Sequence, residues 1–179
     1  MIRGISMQKV DLVLPTKKHE AIIQTYIEEC LEHKSSFDGT SGLDKDSFDI
    51  WLKKVRDFHA GIVHNESFVP ATTFLVMSEH RLVGFVNIRH ELNDFLSRIG
   101  GHIGYMVRPT EREKGYAKAL LKAAVSYCKK TLGLNRLLIT CDQDNIASKK
   151  TILANQGVYQ KTIYDAQYGY VEQYVIETS

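Results

Sequence analysis

The stretch GYMVRPTEREKGYAKALL, Gly104–Leu121, decides how this chain is read. Its first residues close an apolar run, HIGYMV, which Pro109 stops, so a strand ends here. From Gly115 to Leu132 the pattern changes. Ala117, Leu120, Leu121, Ala124, Val125 and Cys128 recur at i, i+3, i+4, i+7, i+8 and i+11, which is one face of a helix. Lys114, Lys118, Lys122 and Lys129 lie off that stripe, and Gly133 follows where a helix C-terminus favours glycine. The start of this helix is unusual. A cap is normally Ser, Thr, Asp or Asn; here Arg112, Glu113 and Lys114 lead into Gly115. Helix N-termini carry unpaired N–H groups and a positive dipole end. A small residue there lets an anion reach the amides. Strand, proline turn and Arg-x-x-Gly-x-Ala therefore describe a phosphate cradle, with Arg112 and Lys114 adding charge and Gly115 and Ala117 removing bulk. The six residues taken alone also fit a plain helix start with a tolerated glycine. They are neither a GxxxxGK[ST] loop nor a GxGxxG fingerprint.

Outward from this point, elements follow in both directions. MQKVDLVLP alternates and stops at Pro15, a first strand. Thr16 caps a helix with Ile22, Ile23, Tyr26, Ile27 and Cys30 at helical spacing. HKSSFDGTSGL is loop, and LDKDSFDIWLKKVRDF puts Phe48, Trp51, Leu52 and Val55 on one face of a second helix. After the loop GIVHNESFVP, the strands ATTFLVMSE and LVGFVNI meet in a hairpin at His80 and Arg81. ELNDFLSRIGG is expected to be a short irregular connection. Beyond the long helix, RLLITC is nearly continuous in apolar residues, so a central, buried fifth strand is expected. Asn145 opens a helix to about Asn155, and YQKTIYDA and YVEQYVIE pair around Gln167–Gly169. The order β-α-α-β-β-β-α-β-α-β-β predicts an α/β fold with a mixed sheet and helices on both faces.

Composition bounds the function. A chain of 179 residues fits one domain, residues 1–179, with 44% hydrophobic and 25% charged residues. A net charge of +2 is too balanced for a dedicated nucleic-acid binder, and no aromatic platform interleaves the helix lysines. No apolar run is long enough to span a bilayer, and MIRGISMQKV lacks a signal-peptide core, so a cytoplasmic, non-membrane protein is expected. The three cysteines, Cys30, Cys128 and Cys141, are scattered without a CxxC and read as reduced thiols. Cys30 and His33 have the spacing of half a zinc site, but no second half follows, and no metal is expected.

Two motifs in context resemble those of the GCN5-related N-acetyltransferases, the GNAT superfamily. Val107, Arg108 and Pro109 precede Arg112, Gly115 and Ala117 at that family's spacing, and DNIASKKTILANQG carries Asn145 and Ser148 as in its Asn-x-x-Ser helix start. Gly100–Pro109 (GGHIGYMVRP), Arg89–Asn93 (RHELN) and Asn145–Ile152 look like a bacterial subfamily of acetyltransferases. The resemblance covers nearly the whole chain. It implies a mostly antiparallel twisted sheet of about seven strands whose fourth and fifth strands splay. It also implies acetyl-CoA as acyl donor and a primary amine as acceptor. By the same resemblance, residues 112–117 (Arg112, Glu113, Lys114, Gly115, Tyr116, Ala117) hold the pyrophosphate through backbone amides. Met106 and Val107 pair with the pantetheine arm, Asn145 and Ser148 line its channel, and Lys118 meets a CoA phosphate or is simply a solvated helix lysine. Asn145 also suits a helix N-cap. A homodimer is compatible with the family.

The family's usual tyrosine, seven residues after the Asn, is Ile152 here, which leaves the acid unassigned. For the base, His102 is the first candidate because imidazole titrates near neutrality, and Glu91 with His90 comes next. Taken in isolation His102 reads first as a satisfied, partly buried strand histidine, and Glu91 and His90 also fit a turn or salt-bridge role. Tyr164, Tyr168, Tyr170 and Tyr174 give an aromatic C-terminal hairpin, and Asp38, Asp44 and Asp46 an acidic loop. The competing reading is a non-catalytic acyl-CoA-binding sensor on the same fold, which the missing tyrosine favours.

Overall fold

The computed structural model describes residues 8–178. Met7, the expected opening residue of the first strand, lies outside the described residues. That strand is β1, Asp11–Val13. It is followed by α1 (Glu20–Glu32), α2 (Phe48–His59), β2 (Ala71–Ser78), β3 (Arg81–Arg89) and β4 (Ile103–Val107). Then come α3 (Tyr116–Lys130), β5 (Arg136–Asp142), α4 (Ile146–Ala154), β6 (Val158–Asp165) and β7 (Gly169–Glu177). The order matches the expectation.

The seven strands form two antiparallel sheets, β1-β2-β3-β4 and β5-β7-β6. The two sheets part between β4 and β5, the pair of strands that the family resemblance has splayed. RLLITC is corrected accordingly. It is an edge strand whose burial alternates, because only Leu137, Ile139 and Cys141 enter the core while Leu138 and Thr140 stay half-buried. β2 and β3 are apolar on both sides for the reason the layers supply. Leu75, Phe85 and Met106 pack with Ile23, Tyr26, Trp51 and Val55 of α1 and α2, whereas Phe74, Val86, Ile88 and Ile103 pack with Leu120, Leu121 and Ala124 of α3.

Two local expectations change in detail and a third holds. Thr16 caps a short 3-10 turn, Lys17–His19, not α1 itself. The His19 Nδ1 accepts the Thr16 N–H at 3.0 Å, so the turn is closed before α1 begins. The connection before β4 is not irregular: Leu96–Gly100 forms a π-helical turn, and Asn93 Oδ1 accepts the Leu96 N–H at 2.9 Å. Gly133 ends α3 as expected, at φ +66°, with the Leu134 N–H bonding the Cys128 carbonyl at 3.1 Å.

Candidate active site

The turn between β4 and α3 is anchored from outside. Arg108 is buried and its Nε meets Glu29 Oε2 on α1 at 2.6 Å, while Thr110 donates its N–H and its hydroxyl to Glu29 Oε1 at 3.0 and 2.8 Å. Burial pushes the Glu29 carboxyl up, but the Thr110 N–H, the Arg108 guanidinium and the Thr110 hydroxyl together outweigh it and hold it at about 2. Glu111 is paired with Arg81 and, at 3.1 Å, with Lys114. The chain then turns through two left-handed residues, Glu113 at φ +62° and Gly115 at φ +88°. α3 starts immediately afterwards with no side-chain cap and no acidic residue in its first turn. A Cβ on Gly115 would meet only the Gln8 side chain, at 3.7 Å. Backbone conformation, rather than crowding by the protein, is what requires glycine here.

The side chains around this start are less open than the pattern suggests. Arg112 folds back, donating from Nε to the Val107 carbonyl at 3.3 Å and from Nη2 to Ser35 Oγ at 2.6 Å. Lys114 is held by Glu111. The Tyr116 hydroxyl donates to Ser78 Oγ at 3.4 Å, at the end of β2, leaving only its backbone for the cradle. Lys118 is exposed and Ala117 packs against the core. What this helix start offers an anion is therefore amides and dipole more than basic side chains.

Beside it lies the gap between β4 and β5. The strands meet at one place, where the His102 N–H donates to Leu138 O at 2.8 Å and the Leu138 N–H donates to His102 Nδ1 at 2.9 Å. Gly101 permits that approach: its φ is +62°, and a Cβ there would lie 2.7 Å from Leu138 O. Beyond this contact no ladder joins β4 to β5 among the described residues. Met106 and Val107 bury their side chains on opposite faces; the Met106 main chain is turned to Phe85 of β3, and Val107 turns its main chain to the gap, where its carbonyl already accepts from Arg112.

Tyr105 crosses toward α4. Its hydroxyl lies 3.0 Å from Ser148 Oγ, and Ser148 is placed by Asn145, whose Oδ1 accepts the Ser148 N–H at 3.0 Å. Asn145 is thus the α4 N-cap. Burial pushes the Tyr105 hydroxyl above its usual range, so it keeps its proton near neutrality. Ile152 is fully buried, with its side chain packed against Gly157. A tyrosine has no room there. The sequence reading missed Tyr105 because nothing in β4 signals that a hydroxyl reaches another helix.

The base candidates fall elsewhere. With Nδ1 accepting from Leu138, the His102 ring carries its hydrogen on Nε2 and has no free basic nitrogen. Burial, and next the Arg89 charge, also lower its pKa against the Leu138 hydrogen bond. Glu91 is exposed beyond β3, and His90 Nε2 bonds Thr72 Oγ1 at 2.8 Å. RHELN instead braces the approach to β4: Arg89 Nη1 donates to Gly100 O at 3.0 Å, and Asn93 Nδ2 to Ser67 O at 3.1 Å. Tyr164, Tyr168 and Tyr170 are exposed and Tyr174 is buried against Glu172. No group of three or more His, Cys, Asp or Glu could hold a metal ion among the described residues.

The Acetyltransferase (GNAT) domain family matches residues 12–156. The N-acetyltransferase YnaD of Bacillus subtilis (strain 168) is 33% identical over 76 residues, covering 38% of this chain and 45% of that protein, so the match spans under half of that relative. Among solved structures, RimL, a ribosomal L7/L12 alpha-N-protein acetyltransferase bound to coenzyme A, superposes with a TM-score of 0.67 at 17% identity, over 97% of this chain and 96% of that one. Mycobacterium smegmatis RimJ with CoA-disulfide gives 0.71 at 16% identity, over 95% and 82%. A spermidine N-acetyltransferase SpeG chimera from Vibrio cholerae and hSSAT gives 0.62 at 18% identity, over 96% of each chain. These structures share the fold. With the family matching most of its length, and a splayed two-sheet fold to go with it, the chain belongs to the GNAT acetyltransferases.

Proposed function

We propose that this protein is an acetyl-CoA-dependent N-acetyltransferase whose acceptor is a primary amine. The observation that carries this reading is the uncapped, left-handed start of α3 at Gly115 next to the unpaired edges of β4 and β5. The α3 amides from Gly115 onward hold the donor's pyrophosphate, where the helix dipole and free N–H groups favour an anion. The main chain of Val107 lines the pantetheine arm, and Asn145 and Ser148 form its far wall. The donor supplies an activated thioester, whose carbonyl carbon forms a bond to the amine nitrogen as its C–S bond breaks. The Val107 backbone N–H, turned away from β3 toward the gap, stabilises the oxyanion.

Proton handling follows from the residues present. A free alkyl ammonium titrates at about 10, so the amine must lose a proton before attack. Neither His102 nor Glu91 is built to take it, and we assign its removal to water on the acceptor side. His102 acts by holding β4 against β5 where the gap begins. The departing thiolate takes its proton from the Tyr105 hydroxyl, which Ser148 orients. Ile152, the one departure favouring a non-catalytic acyl-CoA sensor, is answered by a hydroxyl reaching the same gap from β4.

Thiol release from acetyl-CoA over a panel of polyamines, amino acids, aminoglycosides and short peptides tests the reading, with CoA binding by calorimetry alongside. Turnover with one amine class supports it. Tight CoA binding without turnover on any amine replaces it with the sensor. A cytoplasmic setting fits three buried thiols, and a homodimer through the exposed β6–β7 hairpin belongs to the same reading, checked by sedimentation.

A further inference from the structure

Arg89 is the residue whose surroundings its bracing role leaves unexplained. Its guanidinium lies over Gly104 of β4, where a Cβ would sit 3.1 and 3.2 Å from Nη2 and Nη1. Among the described residues Nη1 alone is engaged, by Gly100 O at 3.0 Å and Gly101 O at 3.4 Å. No carboxylate pairs with this arginine among the described residues. Asp38, exposed and bonded by the Ser36 hydroxyl, is the one acid whose charge reaches it. Arg89 is half-buried, and that burial pulls its guanidinium down to about 10. A half-buried cation whose hydrogen bonds go to carbonyl oxygens is costly unless an anion completes it.

The niche has a definite location. Gly104 faces Asn87 across the β3–β4 ladder, and the Asp38–Gly39 loop rests on the Gly104 carbonyl and Tyr105 Cα. Arg89, Asn87 and Gly104 thus occupy the α1–α2 face of the sheet, two residues from the His102–Leu138 contact where the gap opens. Asn87 is buried, and its Nδ2 spends both hydrogens on Ser41 Oγ and Thr73 Oγ1 at 3.1 Å each, which leaves its Oδ1, an acceptor, as the group it has to offer. A cationic fork and a neutral acceptor along one strand face match the two ends of an amino acid.

We propose that Arg89 receives the carboxylate of the acceptor, so that the acceptor is a compact amine bearing a carboxylate, with a free α-amino acid as the simplest case. This rests on the acetyltransferase reading above. An unpaired Arg89 attracts such a molecule and repels a polyamine. Gly104 is required because any side chain there displaces the guanidinium.

The test compares α-amino acids with their own primary amides, which differ only in the carboxylate. Wild-type protein is expected to favour the acids by about 100-fold in kcat/KM, the scale of a charge-assisted bidentate contact. Arg89→Gln is expected to bring that ratio near one while CoA affinity, by calorimetry, stays unchanged. Arg89→Lys, which keeps the charge without the fork, falls between. Amides used as well as acids by the wild type overturn the proposal without needing any variant to fold. Equal loss on acids and amides in Arg89→Gln also overturns it, since a mere brace acts on both. Tight CoA binding with no amine turned over sinks the acetyltransferase reading instead. Calorimetry of N-acetylglycine on the CoA-loaded wild type and Arg89→Gln then decides the carboxylate site by itself: Arg89-dependent binding supports it, and none refutes it.

Discussion

Replacing Gly115 separates the cradle from the fold. Gly115 sits at φ +88° and ψ 2°, a conformation that costs an L-residue about 1–2 kcal/mol. Space is not the obstacle, since the nearest atom to an added Cβ is the Gln8 side chain at 3.7 Å. Gly115→Ala is therefore expected to lose about 1–2 kcal/mol of stability, a Tm fall of about 2–8 °C for a chain of this size. Gly115→Glu suffers the same strain but places a carboxylate at an acid-free helix start, which recovers about 0.3–1 kcal/mol through the dipole. Its thermal stability should match or exceed that of the alanine variant. Binding should order the other way. The glutamate occupies the N–H groups meant for phosphate and repels it, removing at least one charge-assisted hydrogen bond of about 1.5–3 kcal/mol along with the dipole attraction. About 3 kcal/mol lost is about 100-fold in the Kd for CoA. Calorimetry with CoA and thermal unfolding on the same three proteins checks both orders. A Gly115→Glu protein that folds and binds CoA within about threefold of wild type (roughly 0.7 kcal/mol) refutes the cradle.

Three further outcomes follow from named contacts. Tyr105→Phe should leave CoA affinity intact and lower kcat by about 10–100-fold, the low end of general acid catalysis; steady-state kinetics with unchanged kcat removes Tyr105 from the mechanism. Glu29 ionises at about 2 in the fold against an ordinary 4.5, so its stabilisation is complete above 4.5 and is lost as pH falls through 2. Acid unfolding of Glu29→Gln should accordingly be shallower between those limits and the variant about 1–3 kcal/mol less stable at pH 7, measured by urea titration. His102→Ala should lower stability by about 1–3 kcal/mol through the unpaired Leu138 N–H, and its kcat/KM should rise with pH in parallel with wild type. A wild-type inflection below the ordinary imidazole range that the variant lacks would restore His102 as a base.

Much of this architecture was legible in the chain because it rests on local rules. The stripe from Ala117 to Cys128 and the strand closed by Pro109 specify α3 and β4 without help from the rest of the molecule. Gly115 at a helix start without Ser, Thr or Asp is likewise a local signal, because backbone conformation and capping involve only near neighbours. RLLITC misled for the opposite reason. An apolar run reports that both faces are covered, and says nothing of which edges are paired; that the β4 edge stays open is settled between β4 and β5, some thirty residues apart in sequence.

The side-chain chemistry of the site belongs to tertiary structure. Arg112 and Lys114 read as free cations until the fold gives them Val107, Ser35 and Glu111 as partners. His102 has the residue type of a base, yet its lone pair is claimed by a backbone N–H of β5. Tyr105 has no motif and gains its place only because α4 presents Ser148 across the gap. Composition and periodicity fix what each segment does with its own backbone. Which polar atoms meet, and which charge lacks an ion-pair partner among the described residues, depends on contacts tens of residues apart, and that is where Arg89 acquires its half-buried niche over Gly104.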